Sequence, residues 1–428
     1  MRVLIISRFV SKPSWQGSAQ HVSSLSKLLL KKNHNVKVVS GEYVDELVFT
    51  EQDYYKLVKF PIKYEKNIEQ KFLNASKSSL SNYELAKKII EDFKPDLIHI
   101  GVPLHMNAFI DLGYKFKIPM VAMMHSYEWV CMQRFLLDSK NLNCIGPSIS
   151  TCSNCIKGYS SMKYRAFNLL FDNFLFKTFF NHLNLSNGIH LTEKVKNTLD
   201  IKFLMLSKIN YFITQSDYSK KILIDSGVHS NKIFRVNQYL TDKKLKYFSN
   251  HKSNKKLVIG YVGRLSPEKG ISILDNALKK LHSLKNSFEI HILSLGANKN
   301  ILKKYMPKII DEDFTIKLHN NLVGENDLQI AMANLDVCII PSIVREVGPR
   351  VMLEVMAQKT PCITTDLVGN NYLIDDNVNG KILHEKYDDN FVIDENSESD
   401  DSLDDSLDDS SYDSLDDSSH EYCVISID

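Results

Sequence analysis

The stretch REVGPRVMLE, residues 345–354, sets Glu346 and Glu354 on either side of a Gly348-Pro349-Arg350 step. A helix N-terminus has backbone N–H groups without intrahelical partners and a partial positive charge, so it attracts anions. Proline suits the first helical position, and placing Pro349 there predicts a helix that offers the N–H groups of Gly348, Arg350 and Val351 to an anion. Glycine at 348 lets a phosphate come close. Glu354 then lies about 7 Å along the axis, at about 1.5 Å per residue. That is roughly the offset from a diphosphate to its ribose, and one carboxylate can accept from both ribose hydroxyls. Glu346 falls on the other side of the phosphates. The order sugar, diphosphate, ribose is thus matched by Glu346, helix start, Glu354. Taken alone the stretch also allows a plainer reading, with one acid as a helix-dipole partner and the other on a solvated face.

A second stretch, VIGYVGRLSPEKG (258–270), adds cations. A strand ends in Gly263-Arg264, and Glu268-Lys269-Gly270 lead into a helix. Arg264 and Lys269 therefore sit at the carboxyl end of a strand, where ligands of open parallel sheets bind. Arginine through its fork and lysine as a point charge can hold a diphosphate and stabilise it as it leaves, in the place of a metal. Neither a Walker phosphate loop nor a strand-placed GxGxxG occurs, which argues against an ATPase or a nicotinamide enzyme.

With these residues in view, the chain resembles the retaining glycosyltransferases of family 4, which have the two-Rossmann GT-B architecture. The resemblance spans most of residues 1 to 385. YVGRLSPEKG is similar to the family's pyrophosphate-binding Arg and Lys loop, and Glu346 with Glu354 match its pair of glutamates. It implies that Glu346 contacts the donor sugar and Glu354 the ribose, with no cofactor required for catalysis. SWQGSAQHV resembles the family's N-terminal glycine loop, so Gly17 is expected to approach the donor phosphate or the acceptor. Ser18 stands where a second glycine is more usual. His125, in MMHSYEW, matches a histidine beside the sugar. Lys359 and Tyr372 depart from the family pattern, as does the end of the body near Tyr387, where the family has a helix returning to the first half. These departures keep a second reading in play, a degenerate scaffold that binds a nucleotide or glycan without turnover. A sugar-nucleotide epimerase lacks the arrangement after Gly348.

Hydrophobic patterning supplies the elements that would position these groups. RVLIIS, NVKVVS, DLIHIG, PMVAMMH and KINYFITQS read as strands separated by helical patterns, the signature of a doubly wound parallel sheet. Residues 46 to 90 give no clear pattern. After a polar stretch the alternation restarts with KLVIGYVGRL, FEIHILSLG, DVCIIPS and PCITTD. The sequence predicts an α/β protein of two Rossmann-like domains facing across a cleft. These are an acceptor-side domain over 1–242, a linker over 243–256 and a nucleotide-sugar domain over 257–387. Closure of the two halves would exclude water from the reaction.

Charge divides the chain differently. The net charge of +2 hides an acidic segment, because 16 of the 51 acids lie in 388–428 and no Lys or Arg follows Lys386. Residues 1–387 therefore carry 53 basic residues against 35 acids, a surplus of 18. Such a body suits anionic partners: the phosphates of a nucleotide-diphosphate sugar or a membrane surface, with no nucleic acid expected. The tail, ENSESDDSLDDSLDDSS and onward, is too poor in apolar residues to fold and is expected to be disordered. No secretory signal or 18-residue apolar run is seen, which predicts a cytoplasmic protein. The helix pattern over 164–185, beside Lys157, Lys163 and Arg165, could rest on anionic lipid and bring a lipid-linked acceptor, or lie buried. Glycan and protein acceptors stay open. Of seven cysteines, Cys131, Cys144, Cys152 and Cys155 crowd together and are candidates for a structural zinc or for reduced thiols.

Overall fold

The structure, a computed structural model, describes residues 1–11, 17–52, 54–63, 80–159, 187–238, 240, 247–248, 256–294, 296–320, 322, 326–384 and 424–425. The 164–185 helix pattern lies outside them, as does the acidic tail apart from residues 424–425. The chain divides into two compact units, Met1–Val236 and Asn237–Asp428.

The first unit is built on β1 (Arg2–Arg8), β2 (Asn35–Glu42), β3 (Val48–Gln52), β4 (Tyr55–Pro61), β5 (Leu97–Ile100), β6 (Met120–Met123), β7 (Tyr211–Thr214) and β8 (Ile233–Arg235). They form one sheet in the order β3-β4-β2-β1-β5-β6-β7-β8. All neighbours are parallel except β3 and β4, a hairpin at the edge. That hairpin fills part of the unpatterned stretch. Its first strand is almost wholly exposed, so it carries no apolar alternation to read. β1 has the opposite character: Val3 to Ser7 are buried on both faces, as a central parallel strand requires. Each fully buried Leu or Ile there contributes about 1.5–3 kcal/mol over exposure. Helices α1 (Gly17–Lys31), α2 (Leu80–Phe93), α3 (Asn107–Lys115), α4 (Ile149–Tyr159), α5 (Asn187–Lys208) and α6 (Asp217–Asp225) accompany the sheet.

The second unit repeats the plan with β9 (Leu257–Val262), β10 (Phe288–Leu293), β11 (Ile316–His319), β12 (Val337–Ile340), β13 (Cys362–Thr365), β14 (Gly380–Leu383) and β15 (Val424–Ile425). The order is β14-β13-β12-β9-β10-β11-β15, parallel but for the two-residue β15, which runs antiparallel to β11. Helices α7 (Ile271–Lys280), α8 (Lys299–Tyr305), α9 (Pro307–Asp311), α10 (Asp327–Ala333) and α11 (Arg350–Ala357) complete it. One core cluster packs α7, α8 and α9 on one side, with Ile271, Leu274, Leu278, Leu302 and Ile309 against Ile290 and Ile292. A second packs α10 and α11 on the other, with Met332, Met352 and Val355 against Val258 and Cys338. Two doubly wound halves in series, as the patterning predicts, are what the chain forms. Among the described residues no helix is long and apolar enough to cross a membrane.

Close backbone approach fixes the loops at the carboxyl end of the second sheet. Gly270 has φ 70°, and a Cβ there would fall 1.7 Å from the carbonyl oxygen of Pro341. Only glycine meets both conditions, so the end of the 263–270 loop is pressed against the end of β12. Gly270→Ala should lower the stability of the second unit by on the order of 2 kcal/mol. A urea unfolding curve read from probes in that unit checks it, and an unchanged midpoint would show that the contact does not constrain the loop.

Candidate functional site

At the carboxyl end of β9 the chain turns through Gly263, at φ 145°, into Arg264. Ser266 then precedes a short 3₁₀ turn, Pro267–Lys269, and α7 follows from Gly270. Glu268 is buried in this loop and collects two donors: Arg264 Nη2 at 3.0 Å and Ser266 Oγ at 2.6 Å. Tyr261 Oη donates to the Arg264 carbonyl, and burial, followed by the nearby Glu268 charge, holds that phenol well above its ordinary pKa. The loop's cation is thus oriented by a carboxylate that the sequence reading quoted without assigning a task. Nothing in sequence spacing tells which way an exposed arginine turns.

The second loop follows β12. Lys269 Nζ donates to Glu346 Oε2 at 2.9 Å, joining two chain segments that are 77 residues apart. Ser342 Oγ donates to the other oxygen of the same carboxylate. Backbone bonds fix the frame: Glu346 N–H to the Leu367 carbonyl at 2.9 Å, and Ile343 N–H to the Glu268 carbonyl at 3.2 Å. Gly369 backs the loop so closely that a Cβ would lie 2.4 Å from the Glu346 carbonyl oxygen. The Lys269 and Glu346 side chains are 28% and 10% exposed, which shields the pair from much of the solvent screening that weakens surface ion pairs.

Pro349 is the N-cap of α11 and not its first residue: φ is −71° but ψ is 116°, so the helix starts at Arg350. The expectation of proline at the first helical position is off by one, because a φ near −70° serves either place. Asn370 Nδ2 donates to the Pro349 carbonyl at 3.0 Å and steadies the helix entry. Arg350 and Val351 contribute first-turn N–H groups, and Gly348 precedes the cap half-buried. Glu354, one turn in, accepts from Arg350 Nε at 2.6 Å. The structure therefore brings Gly263, Arg264, Lys269, Glu346, Gly348, Arg350, Val351 and Glu354 onto the two loops and one helix start at one end of this sheet. Ser342 and Asn370 went unread. Ser342 closes the DVCIIPS stretch and Asn370 lies in the loop after β13, places where only packing reveals a partner.

In the first unit, His125 follows β6 and its ring centroid lies 4.9 Å from that of His21 on α1. His99 on β5 stands 6.0 Å from His21. Burial, then the His21 charge, lowers His99 to about 3, and burial, then His21 and His99, holds His125 well below its usual range. His99 and His125 are thus neutral imidazoles at ordinary pH. Gly17 opens α1 in an exposed position, with nothing within 4 Å of where a Cβ would stand. Cys131, Cys144, Cys152 and Cys155 gather near α4 as thiols. Cys144 Sγ donates to the Gly146 carbonyl at 3.3 Å and Cys155 Sγ to that of Leu137 at 3.8 Å. Among the described residues no three His, Cys, Asp or Glu side chains are placed to hold a metal ion. Burial, then Cys131, pushes both Cys152 and Cys155 up to about 12.

Two Rossmann-like units in series, with Arg, Lys and Glu loops at the carboxyl edge of the second sheet, define the GT-B class of fold, and solved structures share it. Sucrose-phosphate synthase of Thermosynechococcus elongatus matches with a TM-score of 0.61 at 13% identity, over 90% of this chain and 86% of that one. HepE of Anabaena, solved in complex with UDP, matches with a TM-score of 0.56 at 14% identity, over 90% and 86%. A glycosyltransferase of Rickettsia africae matches with a TM-score of 0.53 at 16% identity, over 90% and 84%. No curated protein matches the chain. Residues 256–394 match the family model described as glycosyl transferases group 1. With that domain in its second unit, the chain is a glycosyltransferase.

Thiols raised this far react slowly. At pH 8 a pKa of about 12 leaves roughly one thiol in 10⁴ ionised, against about one in four for an unperturbed cysteine. Iodoacetamide should label Cys152 and Cys155 in the native chain at least about 100-fold more slowly than in the urea-unfolded chain. Peptide mass spectrometry reads the two rates, and equal rates would contradict the packing described.

Proposed function

We propose that segments 263–270 and 342–354 of the second unit hold a nucleoside-diphosphate sugar. The enzyme then passes the sugar, with its configuration retained, to a glycan, lipid-linked or protein acceptor. The observation that carries the reading is the 2.9 Å pair between Lys269 and Glu346. It sets a cation fit for a leaving diphosphate directly against a carboxylate fit for sugar hydroxyls. As the bond from the anomeric carbon to the diphosphate breaks, negative charge gathers on the departing oxygen. Lys269, Arg264 and the first-turn N–H groups of α11 are donors already in place for that charge. Glu346, steadied by Ser342, accepts from the sugar. Glu354 keeps Oε2 for the ribose while Arg350 holds Oε1. These groups carry the charge of the step without a metal. That a structural neighbour, HepE, was solved with UDP supports a nucleotide ligand for this fold. His125 is proposed separately, as a neutral imidazole of the first unit that exchanges hydrogen bonds with a hydroxylated ligand.

Lys269→Ala should lower the rate of donor turnover by about 10²–10³, equivalent to about 3–4 kcal/mol of transition-state stabilisation. The assay offers UDP-, GDP- and ADP-sugars in turn and follows release of the nucleoside diphosphate. A near-normal rate in the variant overturns the assignment. Donor binding by the unaltered protein with no turnover of any sugar nucleotide would favour the inert scaffold instead.

A further inference from the structure

Arg8 is the last residue of β1 and is 4% exposed. An arginine stays charged at any pH a protein meets, so burying it is costly unless an anion answers it. The answer inside this unit is incomplete. Nη2 donates to the neutral hydroxyl of Tyr43 at 2.5 Å, and the guanidinium carbon lies 4.1 Å from the centroid of the Phe9 ring. Nε is buried with no hydrogen-bond partner. No ion pair joins Arg8 to a carboxylate among the described residues. Glu42, at the end of the adjoining strand, commits Oε1 to Ser40 Oγ and the Ser11 N–H. Phe9, against which the guanidinium stacks, has the left-handed φ of 51° that an L side chain adopts at a cost.

The surroundings add positive charge. Glu128, itself 6% exposed, faces Arg134 Nη1 at 3.9 Å. Burial pushes the Glu128 carboxyl up, while Arg134, Arg8 and Lys202 pull against it. Lys202 spends its ammonium on the Glu128 backbone carbonyl. Three cations thus share the neighbourhood of Glu128, and the one with least compensation stands at the carboxyl end of a central parallel strand. That edge is where open α/β sheets take their ligands.

We propose that Arg8, with Arg134, binds an anionic oxygen group, phosphoryl or carboxylate, on the molecule that accepts the sugar. The guanidinium fork suits both groups. Assigning the anion to the acceptor rests on the reading above, which gives the donor to the second unit. The binding itself does not, and it can be measured without turnover.

The test uses the full chain carrying Lys269→Ala, so that the proposed donor loop contributes little to anion binding. Thermal unfolding is followed with sodium phosphate, sodium acetate or sodium chloride at matched ionic strength. Phosphate or acetate should raise Tm by about 2 °C or more beyond chloride. Phosphate alone would mark a phosphorylated acceptor and acetate alone a carboxylated one. Adding Arg8→Met should abolish the anion response while leaving the anion-free Tm equal or higher, because an uncompensated buried charge has gone. Adding Arg134→Met, at a more exposed position, should weaken anion affinity about tenfold, and it decides the matter if the Arg8 variant does not fold. Absence of any anion response, or a response that both variants retain, overturns the proposal. Either result leaves the donor assignment standing, just as failure of the Lys269 assay leaves this one.

Discussion

The second unit depends on one electrostatic contact, the ion pair between Lys269 and Glu346. Charge-assisted hydrogen bonds contribute about 1.5–3 kcal/mol, more than a neutral pair, but the larger effect here is geometric. Lys269 ends a turn after β9 and Glu346 follows β12, neighbouring parallel strands whose carboxyl ends face the same way. Parallel strand pairing alone aligns the strand ends without aligning what comes after them. The ion pair, with Gly270 against Pro341 and Gly369 against Glu346, turns two loops into a single surface. Loops held this way need little rearrangement to receive charge, which is the condition for donors to act on a departing anion.

A pattern recurs on that surface. Arg264 is held by Glu268, Lys269 by Glu346 and Arg350 by Glu354. Each cation that could meet a phosphate already has an acid beside it. Without those acids the like charges of the cations would go uncompensated. With them, a diphosphate bound as proposed would compete against internal partners, so the gain from binding would be smaller than the bare charges suggest. If the proposed donor site is correct, such an arrangement would hold its ligand without trapping the product, which would suit an enzyme that releases a nucleoside diphosphate each cycle.

Much of the frame was legible in the sequence. RVLIIS and NVKVVS lie within β1 and β2, and DLIHIG, PMVAMMH and KINYFITQS contain β5, β6 and β7, because strands of a parallel sheet covered on both faces read as short, mostly apolar runs. The β3–β4 hairpin escaped, since an edge strand needs no apolar run, and β8 is only three residues long. Spacing named the charged members of the donor loops but not their partners, because a rotamer is decided by what packs around it. His99 was absorbed into a strand reading and His21 into a helix face. Only the sheet order, placing β5 between β1 and β6, brings them to His125.

Arg8 shows the limit most clearly. In the sequence it does no more than interrupt an apolar run, and a strand that ends in arginine normally ends in water. Burial reverses its meaning. Arg264, Lys269 and Arg350 each have an acid beside them, whereas Arg8 has a phenol, an aromatic face and an unmatched Nε. On the two proposals, the units would treat anions in opposite ways. One would give up an internal contact to bind, and the other would gain a contact it lacks. Binding by exchange is weak and readily reversed, while binding that relieves an uncompensated charge is favourable from the outset. If both proposals hold, this contrast would have a direct use for a group-transfer enzyme: the nucleotide would leave after each turnover without loosening the hold on the acceptor.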